Sequence, residues 1–335
     1  RDAKKEIETA TRAHPLFAPP DPRKTEHLFE RLYRADVELL SPHDFVTTRE
    51  TVVEVLDAQG KRSAAEKKFS FNPLLGGVEI LSATVSNRDG RVHCATAPEM
   101  NVMDSGGVAS APRYPAGKTL VVNLPSVEIG SVIRMVVRSV VTNSPLPWTS
   151  LVRFDDVSPI GKKELRVHGA PFTVGNPFGK RRLEPVLTND WSFVAENPKP
   201  LPRESSTAPS LLWRDAVLFS AGDFEPFGKA LTRALEAARD AGSEQTAKTA
   251  RELVAAAGAD SAEAKIKAVR DHLFRRVRIA GPSFGDLPMD RSFSPPDVVL
   301  ADGYATAYDW LNAYFAIRNS RFSAATAERI PRSGR

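Results

Sequence analysis

Cysteine is almost missing from this sequence: among 335 residues only Cys94 carries a thiol. No disulfide can close within the chain, and no cysteine-based zinc site can be built. A run of about 18 apolar residues is also missing, so nothing in the sequence reads as a membrane-spanning helix. The six histidines, His14, His27, His43, His93, His168 and His272, show no HxxxH spacing. Gly76-Gly77 and Gly106-Gly107 sit in no GxxxxGK or GxGxxG frame and read as turn glycines. No cofactor and no metal is expected on these grounds. Charge of one sign is not in marked excess either. Lys and Arg total 46 against 41 for Asp and Glu, a net +5, and the two signs are interleaved. Nucleic acid is therefore not an expected partner. The densest basic patches, Lys180-Arg181-Arg182 and Arg275-Arg276-Arg278, read as solvated faces, with a polyanion contact as the alternative. The sequence opens on Arg1 without a signal-peptide pattern, as expected of a mature or partial chain.

Hydrophobic residues make up 41% and charged residues 26%, a globular balance, and the length favours two domains. Composition shifts near residue 225, from Val, Thr, Phe, Pro and Gly to Ala, Leu, Lys, Arg and Glu. The shift predicts an α+β chain, β-rich first and helical second. Thr48 to Leu56 reads as a strand closed by Asp57-Ala58-Gln59-Gly60, with Lys68 to Phe71 as its return. Val78 to Ser86 and Arg91 to Ala95 flank the turn Asn87-Arg88-Asp89-Gly90. Thr119 to Leu124 and Val132 to Val141 read as an apolar pair around Gly130, and Glu164 to His168 as a further strand. Such spacing fits an antiparallel β-sandwich. The expected organisation is a lead-in (1–22), the β-sandwich domain (23–190), a proline-rich crossover (191–222), a helical domain (223–320) and a tail (321–335). Pro198, Pro200, Pro202 and Pro209 suggest that the crossover is extended.

Period-3.6 patterns predict helices over Phe227–Ala238, Glu244–Ala257 and Ala262–Val277. The third places Ile266, Val269, Leu273 and Phe274 on one face, and Asp260 with Glu263 fits a capping box. A loop from Gly281 to Pro296 precedes a fourth helix after Asp302-Gly303. Its stripe is Tyr304, Tyr308, Leu311 and Phe315.

Four stretches carry a family resemblance over about residues 30 to 318. Val121 to Ile133, VVNLPSVEIGSVI, resembles the signature of a bacterial domain of unknown function that stands before a transglutaminase-like core. Trp191 to Pro209 resembles the joining segment of those proteins. SAEAKIKAVRDHLFRRVRI (Ser261 to Ile279) and PPDVVLADGYATAYDWLNAYF (Pro295 to Phe315) resemble the helix before the transglutaminase nucleophile and the segment that bears it. The resemblance implies a papain-like core, here truncated. In that family a Gly-Asp-Cys turn opens a helix, whose N-terminus favours the thiolate, and a His completes its activation. In this sequence Gly303 matches the Gly, Tyr304 the Asp and Ala305 the Cys; slipped by one, Tyr304 takes the Cys place. Neither residue is a thiol. The last histidine, His272, precedes the helix, so the resemblance implies an incomplete core or a degenerate relic, with no catalytic residue assigned.

The remaining candidates have plainer readings. Cys94 beside His93 reads as a core or half-buried thiol, because strand neighbours face opposite ways. Asp155-Asp156 reads as a loop entry. Asp286 and Asp290 could rim a groove before the fourth helix, and Trp310, off the main stripe, could face it. Three functions stay open. The first is a non-catalytic transglutaminase-like protein, a binding or scaffolding unit of the periplasm or cell envelope, where the resemblance places it. The second is a cysteine amidase, peptidase or acyltransferase completed by residues outside this chain. The third is a carbohydrate- or peptide-binding β-sandwich. The implied partner is an unidentified protein, peptide or glycan.

Overall fold

The computed structural model describes residues 26–105, 111–114, 117–154, 158–176, 183–198, 216–281 and 287–326. The lead-in, Asp155-Asp156, Lys180 to Arg182 and most of the crossover prolines lie outside them. Among the described residues the β-rich part holds twelve strands: β1 (Leu28–Leu39), β2 (Phe45–Val55), β3 (Glu66–Phe71), β4 (Gly76–Ser86), β5 (Val92–Cys94), β6 (Met100–Asp104), β7 (Lys118–Asn123), β8 (Val132–Val141), β9 (Thr149–Arg153), β10 (Ile160–Asn176), β11 (Leu183–Glu196) and β12 (Ala216–Ser220). A short helix, α1 (Ala58–Ala64), joins β2 to β3.

Nine strands form one sheet in the order β5-β4-β8-β2-β1-β10-β12-β9, with β11 on the other side of β10. Its pairs are antiparallel except β1–β10, where Ala35 faces Leu165 in a parallel register. A second sheet, β3-β7-β6, covers one end of the first. Between them lies a core of Val55, Val85, Leu120, Val122, Ile133 and Met135, with Phe69 and Phe71 against it. The other end of the large sheet gathers its own core around Val37, Leu165, Val167, Phe172 and Phe219. Charged residues line the solvent face: Glu50 binds Arg34 and Arg134, Glu164 binds Arg34 and Lys162, and Arg166 binds Asp190.

Two expected hairpins do not form. Asp57 caps α1, its carboxylate accepting from Gly60 N at 2.7 Å. The helix carries the chain across the core, so β3 pairs with β7 in the other layer rather than with β2. For the same reason β7 and β8 lie in different sheets, whereas β4 and β5 pair around the Asn87–Gly90 turn as expected. Cys94 is exposed rather than half-buried, because β5 is an edge strand. Gly76 opens β4, its N–H closing the turn from Asn72 at 3.0 Å. The stretch assigned to the crossover begins within β11 and ends just beyond β12, whose Val217 and Phe219 are buried.

The helical part comprises α2 (Glu225–Asp240), α3 (Glu244–Ala256), α4 (Ala262–Arg276), α5 (Pro296–Asp302) and α6 (Ala307–Thr326), with β13 (Arg278–Ile279) and β14 (Tyr304–Ala305). Ser261, not Asp260, caps α4, its hydroxyl accepting from Ala264 N at 3.1 Å. Val269 and Leu273 enter the core with Ala250, Val299, Ala313 and Ile317. Phe274, expected beside them, is 68% exposed and meets Trp310 edge-on at 5.0 Å. The expected stripe on α6 is likewise displaced. Asp309, Asn312, Ala313, Ala316 and Ile317 are buried, while Tyr308 and Leu311 are exposed. Small residues admit the neighbouring helices, and two polar side chains are buried with hydrogen-bonding roles that hydrophobic periodicity cannot register. No helix among the described residues is long and apolar enough to cross a membrane.

Candidate functional site

The turn from α5 into α6 is built in three steps. Gly303 ends α5 in the left-handed region (φ 68), its N–H donating to Val299 O at 3.1 Å. A Cβ there would come within 3.3 Å of Arg276 O, so glycine fits both the angle and the space. Tyr304 and Ala305 then run parallel to Arg278 and Ile279, with Arg278 N on Gly303 O at 2.9 Å and Ala280 N on Ala305 O at 2.8 Å. Finally Thr306 caps α6, its hydroxyl accepting from Asp309 N at 3.1 Å. The helix thus starts two residues after Ala305, and Tyr304 belongs to a strand. Ala305 is wholly buried.

A segment from the β-rich part, Ala111 to Tyr114 between β6 and β7, sits on this turn. The Tyr114 hydroxyl is its centre. It donates to Asp309 Oδ2 at 2.7 Å and accepts from Thr306 N at 2.8 Å and Arg113 Nη2 at 2.9 Å. Asp309 accepts from Ser294 N through its other oxygen at 2.7 Å and is wholly buried. Arg113 donates from its backbone N to the Tyr304 hydroxyl at 2.9 Å, from Nη2 to Tyr304 O at 3.1 Å and from Nη1 to Asp302 at 2.5 Å. Its guanidinium lies 4.9 Å and 5.0 Å from the Tyr114 and Tyr304 ring centres, a double cation–π contact. Ala111, Tyr114 and Leu287 form a small apolar seal with Ala280 and Tyr304 against it. Gly281 (φ +105) leaves room for the ring: a Cβ would lie 2.8 Å from Tyr114 Cδ2.

This arrangement binds the two halves together at the turn. Ala305 offers a methyl, and the Tyr304 hydroxyl already accepts a hydrogen bond. The Tyr114 phenol is pushed above its ordinary value, first by burial and then by its hydrogen bond to Asp309. It is therefore a donor, not a nucleophile, near neutral pH. The raised value means that its contribution to stability is present below pH about 10 and fades as pH rises beyond that. We expect the urea midpoint of the protein to fall above pH about 10, and Tyr114→Phe to flatten this alkaline loss. At neutral pH Tyr114→Phe should cost about 2 kcal/mol, because Thr306 N–H loses its acceptor and Asp309 loses a donor. An alkaline curve identical in the variant would show that the phenol is not the titrating group.

Of the expected groove residues, Trp310 is half-buried, stacked on Tyr314 at 6.1 Å and edge-on to Phe274. Asp286 lies outside the described residues, and Asp290 falls in the short 3-10 turn Met289–Arg291. His272 lines a cleft between α3 and α4. Among the described residues no group of three or more His, Cys, Asp or Glu side chains is gathered as a metal site. Arg113, Tyr114, Asp302 and Asp309 were not singled out in the sequence. One signal for them was present: Thr306-x-x-Asp309 has capping-box spacing and marks the start of α6. Ala-Pro-Arg-Tyr-Pro (111–115) has no periodicity to read.

Residues 41–190 match a family model described as a domain of unknown function with a solved structure (DUF3857). Among curated proteins none matches the chain. The crystal structure of a candidate protease from Parabacteroides distasonis superposes with a TM-score of 0.69 at 15% identity, over 88% of this chain and 59% of that one. An M1 zinc metallopeptidase from Deinococcus radiodurans gives a TM-score of 0.28 at 12% identity, over 58% of this chain and 42% of that one. This chain therefore spans less than two thirds of either protein. Over residues 41–190 the chain is similar to the DUF3857 family model, and with the helical part that follows it shares the fold of the Parabacteroides protein.

Proposed function

We propose that this chain is a non-catalytic transglutaminase-like protein that serves as a binding or scaffolding unit of the bacterial cell envelope. One observation carries the reading. At the place where the family resemblance puts the nucleophile stands Ala305, wholly buried, with the next backbone N–H taken by the Tyr114 hydroxyl. In a cysteine enzyme the free N–H groups of the helix start stabilise a thiolate. Here Thr306 N–H binds Tyr114, and Asp309 N–H is capped by Thr306. One of these donors ties the two halves together and the other closes the start of α6.

A thiol-directed probe should label the protein once, at the exposed Cys94, and Cys94→Ala should abolish labelling. Introducing Ala305→Cys should add no fast second labelling, because the site is closed. Hydrolysis of an amide or peptide by the purified chain would overturn the proposal. The alternative, an amidase or peptidase completed by residues outside this chain, draws support from the shared fold with a candidate protease. It requires a thiol and an imidazole delivered to the turn, and so a displaced Tyr114. Proteolytic activity in a longer chain, lost on replacing one added cysteine, would favour it.

A further inference from the structure

A cleft of about 570 Å³ opens between the C-terminal end of α3 and one face of α4. Its floor is apolar, made by Leu253, Ala264 and Ala268. Its rim is cationic: Lys267, Arg275 and Arg276 stand there with His272 and a single carboxylate, Asp271. That carboxylate is already engaged. Arg270 donates to Asp271 Oδ1 at 3.0 Å from Nε and 2.7 Å from Nη2. Lys267 and Arg275 also act on it, and together these hold its carboxyl below the usual range. Arg275 spends its Nε on the backbone carbonyl of Asp271 at 3.0 Å. Among the described residues no carboxylate lies within ion-pair distance of Lys267, Arg275 or Arg276, although exposed helical cations elsewhere in this chain do find partners, as Lys229 with Glu225 and Arg251 with Glu244. Three cations of the lining, Lys267, Arg275 and Arg276, thus stand with one carboxylate, which Arg270 already holds from outside the cleft.

We propose that this cleft binds a small amphiphilic anion, its phosphate or carboxylate head on the cationic rim and a short apolar body on the alanine floor. Arginine suits the head through paired, charge-assisted hydrogen bonds. The alanines leave space for a chain without contributing polar groups that would have to be desolvated. His272 reports on occupancy. It is depressed below its ordinary value, first by burial and then by Arg276 and Arg275 on its own helix, while the α3 side chains across the cleft are apolar. A bound anion offsets the two guanidiniums and moves the imidazole back up.

The test is calorimetry, with NMR titration of the His272 ring, using hexyl phosphate, inorganic phosphate and the neutral hexyl glucoside. Hexyl phosphate should bind at least about tenfold more tightly than either control and raise the His272 pKa. The double variant Lys267→Gln, Arg276→Gln should lose at least about tenfold in affinity with an unchanged circular dichroism spectrum. Vesicles containing phosphatidylglycerol separate two sources of the head. Cosedimentation that disappears in the double variant assigns it to a lipid; hexyl phosphate binding without cosedimentation assigns it to a soluble ester. Equal binding of hexyl glucoside, an unmoved His272, a double variant that binds as well as the parent, or no binding of hexyl phosphate overturns the proposal.

Discussion

Replacing Asp309 by alanine is expected to destabilise the helical half by about 4 kcal/mol. The carboxylate is wholly buried and serves both halves of the molecule. One oxygen accepts from Ser294 N and the other from the Tyr114 hydroxyl, each at 2.7 Å, with Arg113 Nη2 3.9 Å away. Alanine leaves a buried N–H and a buried phenol without acceptors and removes a negative charge beside Arg113, besides opening a cavity. Asp309→Asn keeps the volume and one acceptor, so about half the loss is expected. Urea unfolding followed at 222 nm, where the helices dominate, measures it. A loss below about 1 kcal/mol for Asp309→Ala would mean that the junction is held by the apolar seal and not by the carboxylate.

Phe219→Ala should cost a similar amount, about 3–5 kcal/mol, for a different reason. Phe219 is wholly buried, with ring centres at 5.0 Å to Trp191, 5.8 Å to Trp148 and 5.9 Å to Phe172. It ties β12 to the sheet after the long crossover, so its loss leaves a large void and loosens the strand that leads into α2. The change should appear in tryptophan emission, through Trp148 and Trp191, ahead of the helical signal. Phe219→Leu refills most of the void and should recover more than half of the loss. A variant as stable as the parent would place β12 outside the cooperative core. The two substitutions lie in separate parts of the molecule, and their effects should add.

Legibility differed from element to element. The helices at 225–240, 244–256 and 262–276 are legible within a few residues, because each turns one face at a 3.6-residue period toward its neighbours, half-buried in the first and buried in the other two. The β4–β5 hairpin was read because its turn carries its own chemistry in Asn87 to Gly90. The strands that failed to pair as expected, β2 with β3 and β7 with β8, have ordinary strand sequences. What separates them is α1 in one case and a change of layer in the other. Leu28–Leu39 went unread as a strand although it pairs along its length with both β2 and β10.

The sequence by itself determined the β-then-α order, the single thiol and the lack of any sulfur or histidine at Gly303-Tyr304-Ala305. These are statements about which atoms exist or about local periodicity, and no packing can change them. Only the tertiary structure decided that Arg113 and Tyr114, about 190 positions earlier in the chain, close that turn. It also decided that α6 buries Asp309 and Asn312 while Leu311 faces solvent. Such contacts depend on where two distant segments meet, and a polar side chain is stable inside only when its partners arrive with it.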